Sequence, residues 1–464
     1  MAGALALPRM GFAGSGLSLR ATSRVLEVNG RAASVFGLVN GAGGHGLVLD
    51  PGQRFAVSLS NELAEDTLVH WHGQIPPNAQ DGVPDMPMAA LKPGEVRAYD
   101  FEAKPGTHWM HSHIAVQEMQ LLAAPLIVRS AADVAADRQE VVVMLHDFSF
   151  KPASEVLAEI TGGAGMMDHS AHGAASGTMD MGAMDMAGMD MSEMDLNDYN
   201  FDAYLANDRT LNDPEVVAVE NGGRVLLRVI NGASATVFWI ETGAVPARLV
   251  AVDGNPVQPV AGARFGVAMG QRLDIALDLP KGVAAYPVLA RREGAREQTG
   301  IILAVAGADV GRVDELAKEA APAFDIDLAQ EAGLAAVVPL NARATDKAEM
   351  LMLGGAMMPY VWTINGQSWA DHVPVTAKAG ARVELTFHNM SMMGHPMHLH
   401  GHVFQVVAIN GKRFAGAVRD TVYVPPMAMV TVALDAGEAA AWMLHCHHVP
   451  HMATGMMTEF VVSA

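Results

Sequence analysis

The chain has 464 residues, half of them apolar, with a net charge of −20 and a sequence pI near 5.3. That length exceeds one hydrophobic core and fits about three domains. The acidic balance argues against nucleic acid, which selects basic patches, and weakly favours cationic substrates. No apolar run is long enough for a membrane span.

Taken from the start, Met1 to Arg20 lacks a basic region ahead of a long apolar stretch and does not read as a secretory signal as it stands. The first chemistry-bearing motifs are His70-Trp71-His72-Gly73 and, further on, His111-Ser112-His113. Between them Asp81-Gly82-Val83-Pro84 has the form of an Asp-Gly turn. Ala131 to Asp137 is a short Ala/Asp linker.

From about residue 162 to 197 the pattern changes to Met, Asp, Gly, Ala and His, including Met166, Met167, Met179, Met181, Met184, Met186, Met189, Met191 and Met194. This insert has no helical or strand period and is expected to be a loop. Its thioethers are soft donors that select Cu(I) over hard divalent ions. His169 and His172 in it are candidates for loose copper binding. An Ala-rich stretch, Asp314 to Ala336, reads as a surface linker with room for a short helix broken by Pro322.

The last third carries His395-Pro396-Met397-His398-Leu399-His400-Gly401-His402, with Met390, Met392 and Met393 just ahead of it. Near the end comes His445-Cys446-His447, followed by His451 and Met456. Cys446 is the only cysteine, so it closes no internal disulfide and leaves compartment unread. On a strand, His445 and His447 point to one face and Cys446 to the other. One segment then touches two metal centres. A thiolate, two imidazoles and a weak axial thioether form a blue-copper electron-transfer set. Cys446, His451 and Met456 supply three of these, and His395 is free to be the fourth. The four His-x-His pairs supply eight further imidazoles, more than a single zinc ion takes.

Internal repeats set the architecture. Gly52-Gln53-Arg54 leads through an alternating run to Asn61, Gly222-Gly223-Arg224 to Asn231, and Gly380-Ala381-Arg382 to Asn389, with equal spacing each time. From these asparagines, His70 and His72 lie at the same offsets as His398 and His400, whereas the middle copy has Ile240 and Thr242. Short alternating runs broken by Gly and Pro indicate all-β sandwiches or Greek-key barrels. The expected division is residues 1–130, 138–306 with the insert, a linker over 307–344, and 345–464.

Together the four motifs make the chain resemble the multicopper oxidases, over essentially its whole length. The resemblance implies three tandem cupredoxin-like domains. It also implies one-electron oxidation of substrate at a type 1 copper, with four-electron reduction of dioxygen to water at a trinuclear cluster. By matching motif, type 1 copper would be held by His395, Cys446, His451 and Met456, and type 2 copper by His70 and His398. The type 3 pair would be held by His72, His111, His113, His400, His445 and His447. Electrons would pass along Cys446 to His445 and His447. Asp81 matches a family acid that relays protons. A second acid that some members carry after the histidine matching His451 is here Met452, which leaves another proton route open. The axial Met456 implies a low-to-moderate type 1 potential.

Repeat register adds that the cluster lies between the first and third copies with pseudo-two-fold symmetry, with the middle copy a spacer. The Met-rich insert resembles that of copper-resistance members, which implies Cu(I), alongside phenols, as substrate and a periplasmic or secreted location. A laccase without a copper-homeostasis role, and a non-enzymatic copper sink, are the alternatives; two-domain nitrite reduction fits poorly. His108, His402 and His448 fall off the ligand register, and His45, His146, His372 and His388 read as ordinary surface or core residues.

Overall fold

The computed structural model describes residues 16–162 and 196–464. The Met-rich insert, with its methionines, His169 and His172, lies outside them apart from its two ends. Six β-sheets are present among the described residues, two from each third of the chain. In the first third, Leu17–Val28, Arg31–Asn40, Phe55–Asn61 and Val96–Phe101 form one sheet, and Leu47–Leu49, Val69–His70, Gly106–Ser112 and Ala123–Val128 the other. The middle third has sheets of six and five strands, the last third sheets of seven and five.

Alternation makes these strands. Phe55–Asn61 buries every second side chain, as a strand facing a core on one side must. Each pair of sheets closes over its own apolar cluster, built from Leu19 to Val128, Val141 to Leu334 and Leu328 to Val462, with Ala417 of the last third reaching the middle one. The middle strand Arg224–Asn231 departs from this pattern, being buried on both faces. Its outer face packs Ile230, beside Met144, against Trp109, Ala123 and Ile127 of the first unit.

The three repeat asparagines explain why the copies share a register. Asn61, Asn231 and Asn389 are fully buried. Each accepts a hydrogen bond from the backbone N–H two residues on, that of Leu63, Ala233 or Ser391. Each also donates across the loop, to the carbonyls of Leu91, Val267 and Val424 respectively. A buried amide with these partners fixes where one strand stops and the next begins. His70 and His398 therefore emerge at matching places.

Two details differ from the sequence reading. The strand bearing Cys446 ends there, at Ala441–Cys446, and His451 sits on a short helix, Val449–Ala453, opened by Pro450 in its first turn. The Ala-rich segment forms a single helical turn, Ala329–Ala332, after Pro322, and anchors itself by burying Phe324, Leu328 and Leu334. No described helix is long and apolar enough to cross a membrane.

Candidate metal centres

Cross-strand pairing brings the His-x-His motifs together. His70 lies opposite His111 in the first unit, and His398 opposite His445 in the third. The two units face each other, so that the His70 and His400 rings lie 3.8 Å apart and the His72 and His398 rings stack at 3.8 Å. Three groups result whose ligand atoms lie within 4.8 Å of one another: His70, His72 and His398; His72, His111 and His447; and His113, His400 and His445. Exchange of first-unit for third-unit motifs turns His72, His111 and His447 into His400, His445 and His113. The expected pseudo-two-fold is thus present in the geometry, and each of the last two groups takes rings from both units.

These rings are prepared as ligands. All eight are buried. Burial first, then the neighbouring imidazoles, holds His72, His111, His113, His398 and His400 well below the ordinary histidine range. His445 is pushed down to about 3 by burial. Neutral rings are what metal binding requires. Nε2 of His70, His111, His398 and His447 and Nδ1 of His72 find no hydrogen-bond partner. A knot of unsatisfied buried nitrogens converging on one space is costly unless cations occupy it.

Except in His447, the opposite nitrogens are tied down, which sets each ring's tautomer and direction. Nδ1 of His70 donates to the Asp81 carbonyl at 2.9 Å, Nδ1 of His398 to the Asp420 carbonyl at 2.9 Å, and Nδ1 of His400 to Asp81 Oδ2 at 2.8 Å. Asp81 holds this place through Gly82, where φ is +88° and a Cβ would lie 1.9 Å from the Val69 carbonyl oxygen.

The second centre lies on the other side of the Cys446 strand. Cys446 Sγ is 3.7 Å from Nδ1 of both His395 and His451, and those nitrogens are 3.2 Å apart. Met456 is fully buried in the same apolar cluster, and its carbonyl accepts the Cys446 N–H at 3.1 Å. Burial pushes the Cys446 thiol up, so a cation is needed to hold the thiolate there. The donor set fits copper.

Sequence reasoning missed several residues. Glu118, on the turn of helix after His113, is buried with Oε2 3.2 Å from Nδ1 of His111 and Oε1 3.8 Å from Nδ1 of His447. Burial pushes it up to about 7. Asp420 Oδ1 lies 3.2 Å from Nε2 of His72 and 3.6 Å from Nδ1 of His398. The middle unit is more than a spacer: its fully buried Arg272 clasps Asp420 with both nitrogens, at 2.7 and 2.5 Å. Its Gly270 passes so close to His447 that a Cβ would meet that ring at 2.8 Å.

Asp198, just past the insert, covers the second centre. Its Oδ2 is 3.5 Å from Nε2 of His451 and 3.4 Å from Nε2 of His448, and Tyr360 donates its hydroxyl to it. Burial pushes the Asp198 carboxyl up, but these three contacts outweigh it and hold it well below the usual range. His448 stacks on His451 at 3.8 Å, so a ring off the ligand register still has a place beside the centre.

Family models described as multicopper oxidase match residues 21–133, 139–307 and 342–464. The chain belongs to the multicopper oxidases. Multicopper oxidase MmcO of Mycobacterium tuberculosis is 29% identical over 416 residues, 88% of this chain and 79% of that protein. Copper resistance protein A of Escherichia coli is 24% identical, over 88% of this chain and 86% of its own length. The crystal structure of McoA multicopper oxidase from Aquifex aeolicus superposes with a TM-score of 0.70 at 22% identity, covering 97% of this chain and 96% of that one. As a multicopper oxidase, this protein uses copper and couples one-electron substrate oxidation to the reduction of dioxygen to water, and its histidine clusters fit that metal.

Proposed function

We propose that this multicopper oxidase is a cuprous oxidase, with phenols as secondary substrates. The observation that carries the reading is the cover over the Cys446 centre: His395 and His451 are both fully buried, under Asp198, Tyr360 and Trp362. A phenol ring has no open imidazole to lie against, whereas an ion needs only donors at the rim. Such donors are present. Met392 and Met393 line a small recess with Glu293 and Tyr423, two to three positions from His395. Met392 is 43% exposed, placing a soft thioether at the surface where Cu(I) would arrive. The kinship to a copper resistance protein supports the same choice.

In this reading His395, Cys446, His451 and Met456 hold type 1 copper, His70 and His398 type 2, and His72, His111, His113, His400, His445 and His447 the type 3 pair. Copper, when bound, supplies the electron store and the site at which dioxygen is reduced. The chain supplies the wiring. Cys446 is flanked in sequence by His445 and His447, and Nδ1 of His445 donates to the Cys446 carbonyl at 2.9 Å, adding a hydrogen-bonded path to the covalent one. Asp81 bridges His70 and His400, and Glu118 reaches His111 and His447. These are the carboxylates placed to carry protons inward where Met452 supplies none. Three structural units with the borders given above, and export to the periplasm or exterior, belong to the same proposal.

Deleting Gly162 to Leu196 tests it. Cu(I) oxidation, followed by dioxygen uptake, should fall while phenol oxidation is unchanged or rises. Undiminished Cu(I) oxidation with unchanged phenol oxidation would remove the insert from the function. Cu(I) uptake without dioxygen consumption by the intact protein would make it a sink.

A further inference from the structure

A second group of soft donors lies away from both centres, in the seam between the first and second units. The strand Gln139–Phe148 turns Val142, Met144 and His146 to one face, and that face borders a cavity of about 490 Å³. Across it stand His45 from the first unit and the Asn207-Asp208 turn from the second.

His146 is the anomaly. It is 2% exposed, and neither ring nitrogen has a hydrogen-bond partner. An orphaned buried polar atom is costly, a cost that a leucine at this place would avoid. Met144 and His146 converge: a Cβ added to Gly232 would meet the Met144 methyl at 2.9 Å and His146 Nε2 at 3.0 Å. His45 reaches the cavity from beside the Ala123 carbonyl. Burial, opposed by the nearby Asp208, pushes His146 down to about 4, so that ring is neutral.

Asp208 decides which ion suits the cavity. Its carboxylate is taken up by Arg24, with contacts of 2.5 and 3.0 Å. The other carboxylates lining the cavity are engaged as well, Glu140 by Arg129 and Arg228 and Glu215 by the Asn207 amide at 2.6 Å, which leaves two imidazoles and a thioether as the uncommitted donors. Hard divalent ions want oxygen donors, and Cu(II) gains from anionic ones; a monovalent soft ion is matched by this set. We propose that this cavity binds one copper(I) ion through His45, Met144 and His146, as a storage or entry site separate from the catalytic coppers. The inference does not depend on which substrate the enzyme oxidises.

Silver(I), a redox-silent probe of the same charge and softness, tests it on the copper-loaded protein. After gel filtration, metal analysis should find one silver ion fewer on His146→Leu than on the parent, and His45→Ala should weaken that ion's binding by about tenfold or more, the scale on which even outer partners of a metal matter. Anomalous scattering from silver-soaked crystals should place the ion between His45 and His146. Both variants should keep the parent's visible spectrum, which shows that they fold with the Cys446 centre intact, and exposed His45 gives a readout even if His146→Leu does not. Equal silver content and affinity in parent and variants, or anomalous density only elsewhere, would overturn the assignment and leave water as the partner of His146.

Discussion

Asp81 Oδ2 accepts a hydrogen bond from Nδ1 of His400 at 2.8 Å, although 319 positions separate the two in sequence. The same residue's carbonyl takes Nδ1 of His70. One side chain and its backbone therefore orient a ring from each outer unit. Asp81→Asn keeps the shape and removes the charge. Dioxygen reduction should slow about 10–100-fold, while the visible thiolate–copper band and the rate at which substrate bleaches it stay unchanged. Stopped-flow absorbance beside an oxygen electrode separates these steps; equal turnover would strip Asp81 of its part.

Met456 is tested by potential, not rate. Replacing the thioether with an apolar side chain removes an axial donor that favours oxidised copper. Met456→Leu should raise the potential of the Cys446 centre, read by optical redox titration, and an unmoved potential would exclude Met456 as a ligand.

Arg272 and Asp420 form a buried ion pair beneath the histidines. Arg272→Met strands the carboxylate, and loss of one partner of such a pair costs about 3–5 kcal/mol. The denaturant midpoint of the copper-free protein should fall accordingly. A variant as stable as the parent would show that Asp420 is held by His72 and Thr421 alone.

Glu293 gives a pH signature. Burial pushes its carboxyl up to about 8, so between pH 4.5 and 8 the folded state holds a proton that the unfolded chain has released. Its contribution is fully present below about pH 4.5 and is lost as pH rises toward 8, by up to about 1.4 kcal/mol per unit. Glu293→Gln should flatten the fall of melting temperature over that range. Parallel curves for parent and variant would count against this.

The convergence of the histidine motifs was legible in sequence because strand alternation and the repeat asparagines convert spacing into direction: His70 and His398 share an offset, and their strands share a register. The helix carrying His451 was not, since five residues after Cys446 fit a continuing strand as well as a turn opened by Pro450. Glu118, Asp198 and Asp420 escaped for another reason. Each is an acid whose role depends on a ring brought to it by tertiary packing, and even at Asp198, in a stretch that resembles the copper-resistance members, the sequence does not show that ring. Arg272 lies in the copy without ligands, where no search for metal chemistry would look. His146 read as an ordinary core residue because partnership, not burial, sets it apart.

Under the proposed assignment, the rings of the oxygen-reducing cluster are divided between two units, yet every donor of the Cys446 centre comes from the last one. A C-terminal fragment cut free by proteolysis would thus accept electrons and have no outlet for them, whereas an N-terminal fragment would have nothing to accept them with. On that assignment, reduction of dioxygen by substrate needs the intact chain.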